Sequence, residues 1–334
     1  MSAHKRELDV TLQVVDRRID EIVAGSDELV LRYLSKVSKN RGKMFRPQLM
    51  IAFANLLGGA PREALITCAA CCELLHTASL IHDDVIDEAD QRRGQPTLNH
   101  HFGNEVAVIV GDYIFALLYQ ELLALRDFEL MTMINDTSQL LGLGVLSELA
   151  NRNNFKLNLD TYYDLMFKKT AALFGLCSSL GAYLAKAELS AQRAAQDYGK
   201  ELGLGFQIVD DLLDITADSI STGKPVLNDL REGRITIPLI YAYAQEPEAT
   251  RRLVLEFQQA PTTTAAEAVK THLVQTGAIQ HAYDLARASI AKARDIARQL
   301  ASEIPAVSND GVLQQVEDRV IDVLAPQLAQ VSAS

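Results

Sequence analysis

Apolar residues recur along this chain at the spacing of α-helices, three or four positions apart. In the first segment the pattern is carried by Leu8, Leu12, Val15, Ile19 and Ile22. No segment alternates apolar and polar residues over the length of a convincing strand. Pro47 suits the first turn of a helix over 48–57, which Gly58 and Gly59 would end. Pro61 would begin the next helix, and the pattern as a whole predicts an all-α protein.

Two acidic pentads of the form D-D-x-x-D interrupt this apolar pattern. They are Asp83-Asp84-Val85-Ile86-Asp87 and Asp210-Asp211-Leu212-Leu213-Asp214. Positions i, i+3 and i+4 share a helix face, so we expect the three carboxylates of each pentad to point the same way. Clustered carboxylates on an apolar helix are costly unless a cation neutralises them, and Mg²⁺ prefers such oxygen ligands. Two solvated acidic faces, the alternative, would not account for the aliphatic residues between the acids.

Irregular segments follow both pentads. Residues 88–99 and 218–233 contain Gly, Pro and basic side chains, so each acidic helix is predicted to end in a cationic loop. Further turns are predicted at 261–264 and 308–311. No change in composition separates two domains, so we expect one domain over residues 1–334. The repeated pentads favour a pseudo-symmetric helical barrel with acids on opposite walls.

Composition and charge narrow the function. The 334 residues are 48% hydrophobic and carry a net charge of −11, which argues against nucleic-acid binding because phosphate backbones need basic faces. Cys68, Cys71, Cys72 and Cys177 lie among Ala and Leu and indicate buried reduced thiols rather than a zinc site. The N-terminus lacks a signal-peptide pattern. Charged or polar residues interrupt the apolar stretches 65–81 and 106–119, so no transmembrane segment is expected. The sequence predicts a soluble cytoplasmic protein, compatible with work close to a membrane.

Cationic side chains surround the pentads in the sequence. They are Lys43 and Arg46 at a helix entrance, His76 two turns before Asp83, Arg92 and Arg93 after the first pentad, Lys168 and Lys169 mid-chain, and Lys224 and Arg234 after the second pentad. Any one of them alone would indicate only a solvated surface charge. Together with two carboxylate clusters they predict a site for a diphosphate substrate, because bound Mg²⁺ would invert the local negative field.

At this point the chain closely resembles a known family, the trans-isoprenyl diphosphate synthases or polyprenyl synthetases. The matching blocks are GKMFRP, ELLHTASLIHDDVIDEADQRRGQPT, FKKTAALF, GLGFQIVDDLLD and TGKPVLNDLREGRITIP. The resemblance implies a helical bundle around a deep central cavity, of the isoprenoid synthase type. It also implies a homodimer formed through apolar helices such as that at 106–125, and about three Mg²⁺ ions per active site.

The resemblance assigns roles to particular residues. Those implied to bind the diphosphate of isopentenyl diphosphate are Lys43, Arg46, His76 and Arg93. Those implied to bind metal are Asp83, Asp87 and Asp210, with Asp84, Asp211 and Asp214 as further carboxylates of the catalytic centre. Those implied to hold the allylic diphosphate are Arg92, Lys169, Thr170, Gln207, Lys224 and Arg234. The chain departs from the family pattern at Met44, where Arg is common, and at Arg234, where Lys is common.

The implied reaction is Mg²⁺-dependent condensation of isopentenyl diphosphate with an allylic diphosphate. Shorter-chain relatives place large aromatic residues four or five positions before the first Asp, where this chain has Ser79 and Ala78. We therefore expect a long all-trans product of about C30 to C50, of the kind used in quinone side chains. The alternatives are a farnesyl or geranylgeranyl product, the catalytic subunit of a heteromeric synthase, a class I terpene cyclase, and a non-catalytic regulatory subunit. The second full pentad argues against the cyclase, and two intact pentads argue against the regulatory subunit.

Overall fold

A computed structural model describes residues 3–37, 42–216 and 227–302 of the chain. Lys224 and the turn predicted at 308–311 lie outside these residues, as does most of the segment 218–233. The helices up to the first loop are α1 (Ala3–Ala24), α2 (Glu28–Val37), α3 (Phe45–Leu56) and α4 (Arg62–Ile86). The next are α5 (Leu98–Phe102), α6 (Asn104–Ala124), α7 (Phe128–Ala150) and α8 (Leu159–Met166), followed by a π-helical turn at Phe167–Ala171. The last are α9 (Ala172–Leu184), α10 (Leu189–Thr216), α11 (Asn228–Arg231), α12 (Ile237–Gln245), α13 (Pro247–Gln259), α14 (Thr263–Gln275) and α15 (Ala278–Ser302).

The described residues confirm the all-α prediction and correct both predicted loops, since the described end of 218–233 contains the short helix α11. The segment 88–99 was expected to be irregular, but it contains two short antiparallel strands, β1 (Gln91–Arg92) and β2 (Gln95–Pro96). The turn between them has positive φ at both central residues, Arg93 and Gly94. Two such residues make the type of turn whose twist suits adjacent strands. The turn therefore holds the backbone of Arg93 in a defined position.

Helix ends follow the expected chemistry with small shifts. Helix α3 begins at Phe45, which places Pro47 within its first turn, and it ends at Leu56. Gly58 and Gly59 follow with positive φ, a conformation that commonly terminates helices. Pro61 immediately precedes α4. The local pattern thus predicted these boundaries to within three residues.

The described residues fall into two compact units. The first contains residues up to 139, residues 173–199 and residues 296–302. Within it, the predicted stripe of α1 is confirmed, because Leu8, Val15, Ile19 and Ile22 are buried. Helix α4 is buried continuously from Leu65 to Leu75. The Sγ of Cys71 lies 3.6 Å from the Leu118 carbonyl oxygen of α6, and all four cysteines are free and buried as predicted.

The second unit contains residues 140–172 and the described part of 200–295. Its core packs α8 and the C-terminal half of α10 with apolar residues of α12 to α15. The largest fully buried side chains of this core include Tyr162 and Phe257. The π-helical turn at Phe167–Ala171 lies between α8 and α9, and such turns often occur at functional sites.

Two helices are long and apolar enough to cross a bilayer when judged by length and composition alone. They are α4 and α6, with mean hydropathies of 1.7 and 1.6. In α4, 72% of the apolar window is buried inside the protein, as expected of a core helix, whereas in α6 the figure is 33%. Helix α6 therefore presents much of its apolar surface outward.

Candidate active site

The first pentad lies at the C-terminal end of α4, and its carboxylates do not all point the same way. Asp83 and Asp87 are half-buried, but Asp84 is buried and accepts a 2.7 Å hydrogen bond from Arg92 Nε. Asp84 lies about 100° around the helix from Asp83, on the side where Arg92 donates to it. The expectation of three parallel carboxylates was therefore wrong for Asp84. Its pKa is raised by burial, although the Arg92 guanidinium acts in the opposite direction.

A group of cationic and polar side chains lies upstream of this pentad in the same unit. Arg46 is half-buried, and its guanidinium lies 4.8 Å from the centre of the Phe174 ring. Burial lowers its pKa, and the carboxylate of Glu73 opposes that shift. Burial also lowers the pKa of His76 well below its ordinary value, and the positive charges of Arg46 and Arg93 lower it further. His76 is therefore a neutral imidazole at pH 7, able to donate one hydrogen bond.

Arg93 is brought to this group by a close backbone approach. A Cβ at Gly42 would lie 2.3 Å from an Nη atom of Arg93, and the positive φ of Gly42, 65°, is a conformation that favours glycine. Lys43 is the next residue, and its Nζ lies 5.8 Å from the Phe45 ring centre. His76 and Arg93 line a cavity of about 120 Å³ together with Asp84 and Arg92. The structure thus gathers the predicted cationic residues of the first unit, with Lys43 at the start of α3.

The second pentad lies on α10, and its middle carboxylate is also turned inward. Asp210 is exposed, whereas Asp211 is 3% exposed and accepts hydrogen bonds from the Tyr162 hydroxyl at 2.5 Å and from Gln207 Nε2 at 2.9 Å. Burial raises the pKa of Asp211 to about 7 despite these two donors. Asp214 accepts the backbone N–H groups of residues 228 and 229 at 3.1 and 3.0 Å, which caps the start of α11. The pentad therefore stabilises neighbouring elements through hydrogen bonds, in addition to presenting carboxylates at the site.

Three of the residues predicted to hold the allylic diphosphate lie near the second pentad: Lys169, Thr170 and Gln207. Lys169 Nζ donates to both carboxylate oxygens of Glu148, at 2.7 and 2.8 Å. Thr170 Oγ1 donates to Gln207 Oε1 at 2.7 Å, and the amide nitrogen of the same Gln207 donates to Asp211. The π-helical turn that carries Lys169 and Thr170 is thereby tied to α10. Gln207 makes this connection through its side-chain amide, and Lys200 of the same helix lies 5.3 Å from the ring centre of Phe167 in the turn.

Arg234 lies in a cluster of carboxylates. It pairs with Asp229 at 3.4 Å and with Glu148 at 3.9 Å, and it also contacts Glu232. Burial raises the pKa of Asp229 well above its ordinary value, and the Asp214 carboxylate raises it further. Sequence reasoning missed Asp229, although it lies in the block TGKPVLNDLREGRITIP. It also missed Glu148, although an isolated acid in the apolar run GLGVLSELA carries the same signal as the pentads.

The second unit has a cavity of about 70 Å³ at this cluster. Its charged lining consists of Glu148, Lys169, Asp210, Asp211, Asp229 and Arg234. The four carboxylates exceed the two cationic groups, and such an excess in a partly enclosed site favours binding of a further cation. Among the residues that the structure describes, no group of three or more His, Cys, Asp or Glu side chains could hold a metal ion by itself. Mg²⁺ commonly needs only one or two carboxylates when phosphate oxygens complete its shell, so the donor set fits a metal that binds with a diphosphate.

Comparisons with known proteins point to one family. A family model described as polyprenyl synthetase matches residues 27–275. Octaprenyl diphosphate synthase of Haemophilus influenzae is 35% identical over 255 residues, which cover 76% of this chain and 77% of that protein. Geranylgeranyl diphosphate synthase of Sulfolobus acidocaldarius is 31% identical over 307 residues, covering 86% and 93%. A polyprenyl synthase from Caulobacter crescentus, solved with calcium and isoprenyl diphosphate, superposes with a TM-score of 0.85 at 28% identity, covering 95% of each chain.

Proposed function

This chain belongs to the polyprenyl synthetase family and is a trans-prenyltransferase, and from that premise we propose that it joins isopentenyl diphosphate to an allylic diphosphate in a Mg²⁺-dependent reaction. The observation that best supports the proposal is that each pentad has cationic partners within its own unit. Arg92 pairs with Asp84, and Lys169 and Arg234 lie among the carboxylates beside Asp210. Alternating charges of this kind suit a substrate that is itself a metal-bound anion.

Isopentenyl diphosphate binds to the cationic group of the first unit in this proposal. Lys43, Arg46 and Arg93 supply positive charge, and neutral His76 supplies a hydrogen bond without adding to the repulsion among the arginines. Arg46 is held by its contact with the Phe174 ring and by the nearby carboxylate of Glu73. Such preorganisation reduces the entropy lost when the diphosphate binds.

The allylic diphosphate is the leaving group, and the reaction proceeds by ionisation, condensation and elimination. The C–O bond at C1 breaks and its electron pair stays with the diphosphate, whose growing charge Arg92, Lys169 and Arg234 stabilise, with Thr170 and Gln207 fixing the turn that carries Lys169. The double bond of isopentenyl diphosphate then attacks C1 and forms the new C–C bond. A proton leaves the condensed cation, and the released diphosphate is the proposed acceptor. Apolar walls exclude water that would otherwise capture the cation.

The proposed metal is Mg²⁺, with about three ions per site, held by Asp83, Asp87 and Asp210. When bound, Mg²⁺ would neutralise charge that develops on the leaving diphosphate. Two findings support a divalent cation: the surplus of carboxylates in the second unit, and the calcium that accompanies isoprenyl diphosphate in the Caulobacter enzyme. Asp84, Asp211 and Asp214 have the different task of holding neighbouring residues.

We propose a long product, about C30 to C50, because both positions before the first pentad have small side chains. Ala78 is fully buried, and Ser79 is half-buried with its hydroxyl donating to the His76 carbonyl at 2.8 Å. Neither would block a chain descending along α4. The relatives include octaprenyl and geranylgeranyl diphosphate synthases, so a shorter product is the second candidate. The same proposal includes the use of the product as a quinone side chain. It also includes a cytoplasmic location, with delivery of the product at a membrane surface.

The proposed assembly is a homodimer formed through α6. On this helix Val108, Ile109 and Leu123 are 40%, 66% and 56% exposed, an unusual apolar surface for an isolated protein. Light scattering at micromolar concentration should give the mass of two chains. Ile109→Glu should give a single chain, whereas the control Leu189→Glu, at a leucine of 58% exposure on α10, should not. A wild-type monomer with full activity would overturn the assignment.

The central experiment is incubation of the purified chain with Mg²⁺, labelled isopentenyl diphosphate and allylic primers of several lengths, followed by sizing of the products. We expect elongation by this chain alone, ending at about C30 to C50. Asp83→Ala and Asp210→Ala should lower kcat far more than they raise KM, since each removes a charged ligand needed in the transition state. Near-normal kcat in either variant at saturating Mg²⁺ would refute the metal assignment. A wild-type chain that is inactive until an unlike subunit is added would replace the single-chain proposal with the heteromeric one.

A further inference from the structure

Tyr162 is a buried side chain of the second unit to which the reaction outlined above gives no role. It lies on α8 and is 1% exposed, at the inner wall of the small cavity of the second unit. Its hydroxyl nevertheless donates a 2.5 Å hydrogen bond to Asp211 Oδ2, in the middle of the second pentad. The two residues are 49 positions apart in the chain, so tertiary packing alone creates the contact.

The bond belongs to a continuous series of hydrogen bonds. The other oxygen of Asp211 accepts from Gln207 Nε2 at 2.9 Å, and Gln207 Oε1 accepts from Thr170 Oγ1 at 2.7 Å. Each Asp211 oxygen thus has one donor, which a buried carboxylate requires. Three hydrogen bonds therefore connect Tyr162 to the turn that carries Lys169. Linked groups of this kind strengthen one another in a buried environment.

The geometry of α10 gives this series a consequence for the other two carboxylates of the pentad. Asp210 and Asp214 lie four residues apart and share a helix face, whereas Asp211 is turned about 100° from Asp210. Anchoring Asp211 on the inner side fixes the rotation of the helix at this level. The direction of Asp210 follows from that rotation, whereas Asp214 is also held by the backbone N–H groups of residues 228 and 229.

We propose that Tyr162 is a positioning residue: through its hydroxyl it holds Asp211 inward, which aims Asp210 at the metal-bound diphosphate and keeps the Lys169 turn in register with the pentad. The inference rests on the proposed function, because it concerns the same diphosphate site. Removal of a residue that orients metal ligands without binding the metal itself commonly changes metal affinity by about 10- to 100-fold. Tyr162 acts through Asp211 and never contacts the substrate itself.

The test compares Tyr162→Phe with Tyr163→Phe, which deletes the same atom from the neighbouring residue. The first readout is binding of inorganic diphosphate to the wild-type and variant proteins as a function of Mg²⁺ concentration, measured by calorimetry. We expect Tyr162→Phe to raise the Mg²⁺ concentration needed for half-maximal binding by about 10-fold, and Tyr163→Phe to leave it unchanged. The second readout is steady-state kinetics, in which Tyr162→Phe should lower kcat and leave KM for isopentenyl diphosphate unchanged. Equal Mg²⁺ dependence in the two variants would overturn the proposal. A Tyr162→Phe protein that is less stable than wild type but has the wild-type Mg²⁺ dependence would also overturn it.

Asp211→Asn keeps the shape of the side chain and provides a second measurement, which does not depend on how well Tyr162→Phe folds. It should shift the Mg²⁺ dependence in the same direction. The double variant should be no worse than the more affected single variant, because both act through one contact. Additive effects would mean that Tyr162 acts elsewhere. Wild-type protein without prenyltransferase activity would refute the proposed function, whereas active wild type with Tyr162→Phe matching Tyr163→Phe would refute this inference alone.

Discussion

Gly144 offers a sharp test of whether the position of the Lys169 turn matters for activity. It is a buried residue of α7, and a Cβ there would lie 2.6 Å from the Lys169 backbone nitrogen and 2.9 Å from the Lys168 carbonyl carbon. Both neighbours are backbone atoms, so no side-chain rotation can relieve the contact. Restoring an ordinary separation of 3.4 Å requires α7 and the turn to part by about 0.8 Å.

This displacement gives the expected magnitude for Gly144→Ala. Forcing extra volume into a packed site costs about 1–3 kcal/mol, partly offset by the roughly 0.5–1 kcal/mol that Ala gains over Gly in a helix. The same movement stretches the hydrogen bonds from Lys169 Nζ to Glu148, now 2.7 and 2.8 Å. Misplacement of a catalytic group by about 1 Å can lower the rate on the order of 100-fold. We expect kcat/KM for the allylic substrate to fall by about 10- to 100-fold.

Gly142→Ala is the matched control. Gly142 lies two residues earlier on the same helix and is exposed, and a Cβ added there would meet no heavy atom within 4 Å. This variant should be about 0.5–1 kcal/mol more stable than wild type, with unchanged kinetics. Urea unfolding and steady-state assays of both variants provide the measurements. The reasoning fails if Gly144→Ala is as stable and as active as Gly142→Ala.

Three further predictions concern the first unit and Lys169. Lys43→Ala should chiefly raise KM for isopentenyl diphosphate, and Lys169→Ala should chiefly slow ionisation of the allylic substrate. Titration of each substrate provides the measurement. If Lys43→Ala changed only the KM of the allylic substrate, the two diphosphate sites would be assigned the wrong way round. Ala78→Phe should shorten the product to about C15 to C20, which product sizing would measure. Because Ala78 is fully buried, the larger side chain should also lower stability by about 1–3 kcal/mol. An unchanged product would mean that the growing isoprenoid chain does not pass Ala78. Because the folded-state pKa of His76 is lowered, the unfolded chain binds its proton first and stability falls as pH drops below about 6.5. His76→Gln should remove that part of the acid sensitivity; urea midpoints at about pH 7.5 and about pH 5.5 check it, and an equal loss in wild type and variant would contradict it.

Local patterns in the sequence determined much of this protein. Apolar spacing predicted α1, and the Pro and Gly residues predicted the ends of α3 and the start of α4, because helix periodicity and backbone stereochemistry act over a few residues. The motif blocks were sufficient for the family, which the comparisons confirm. The type of turn between β1 and β2 was missed, since a positive φ at Arg93 is not a preference of arginine.

The orientation of the pentads was decided by tertiary structure. Helix geometry alone grouped all three carboxylates, but Asp84 and Asp211 turn inward because Arg92 and Tyr162 are there to receive them. Burial of a carboxylate is tolerated only when donors are present, and those donors come from other elements. The partner of Asp211 is 49 residues away and that of Lys169 is 21 residues away. Side-chain pairing over such separations depends on packing of whole helices, which no local pattern in the sequence encodes.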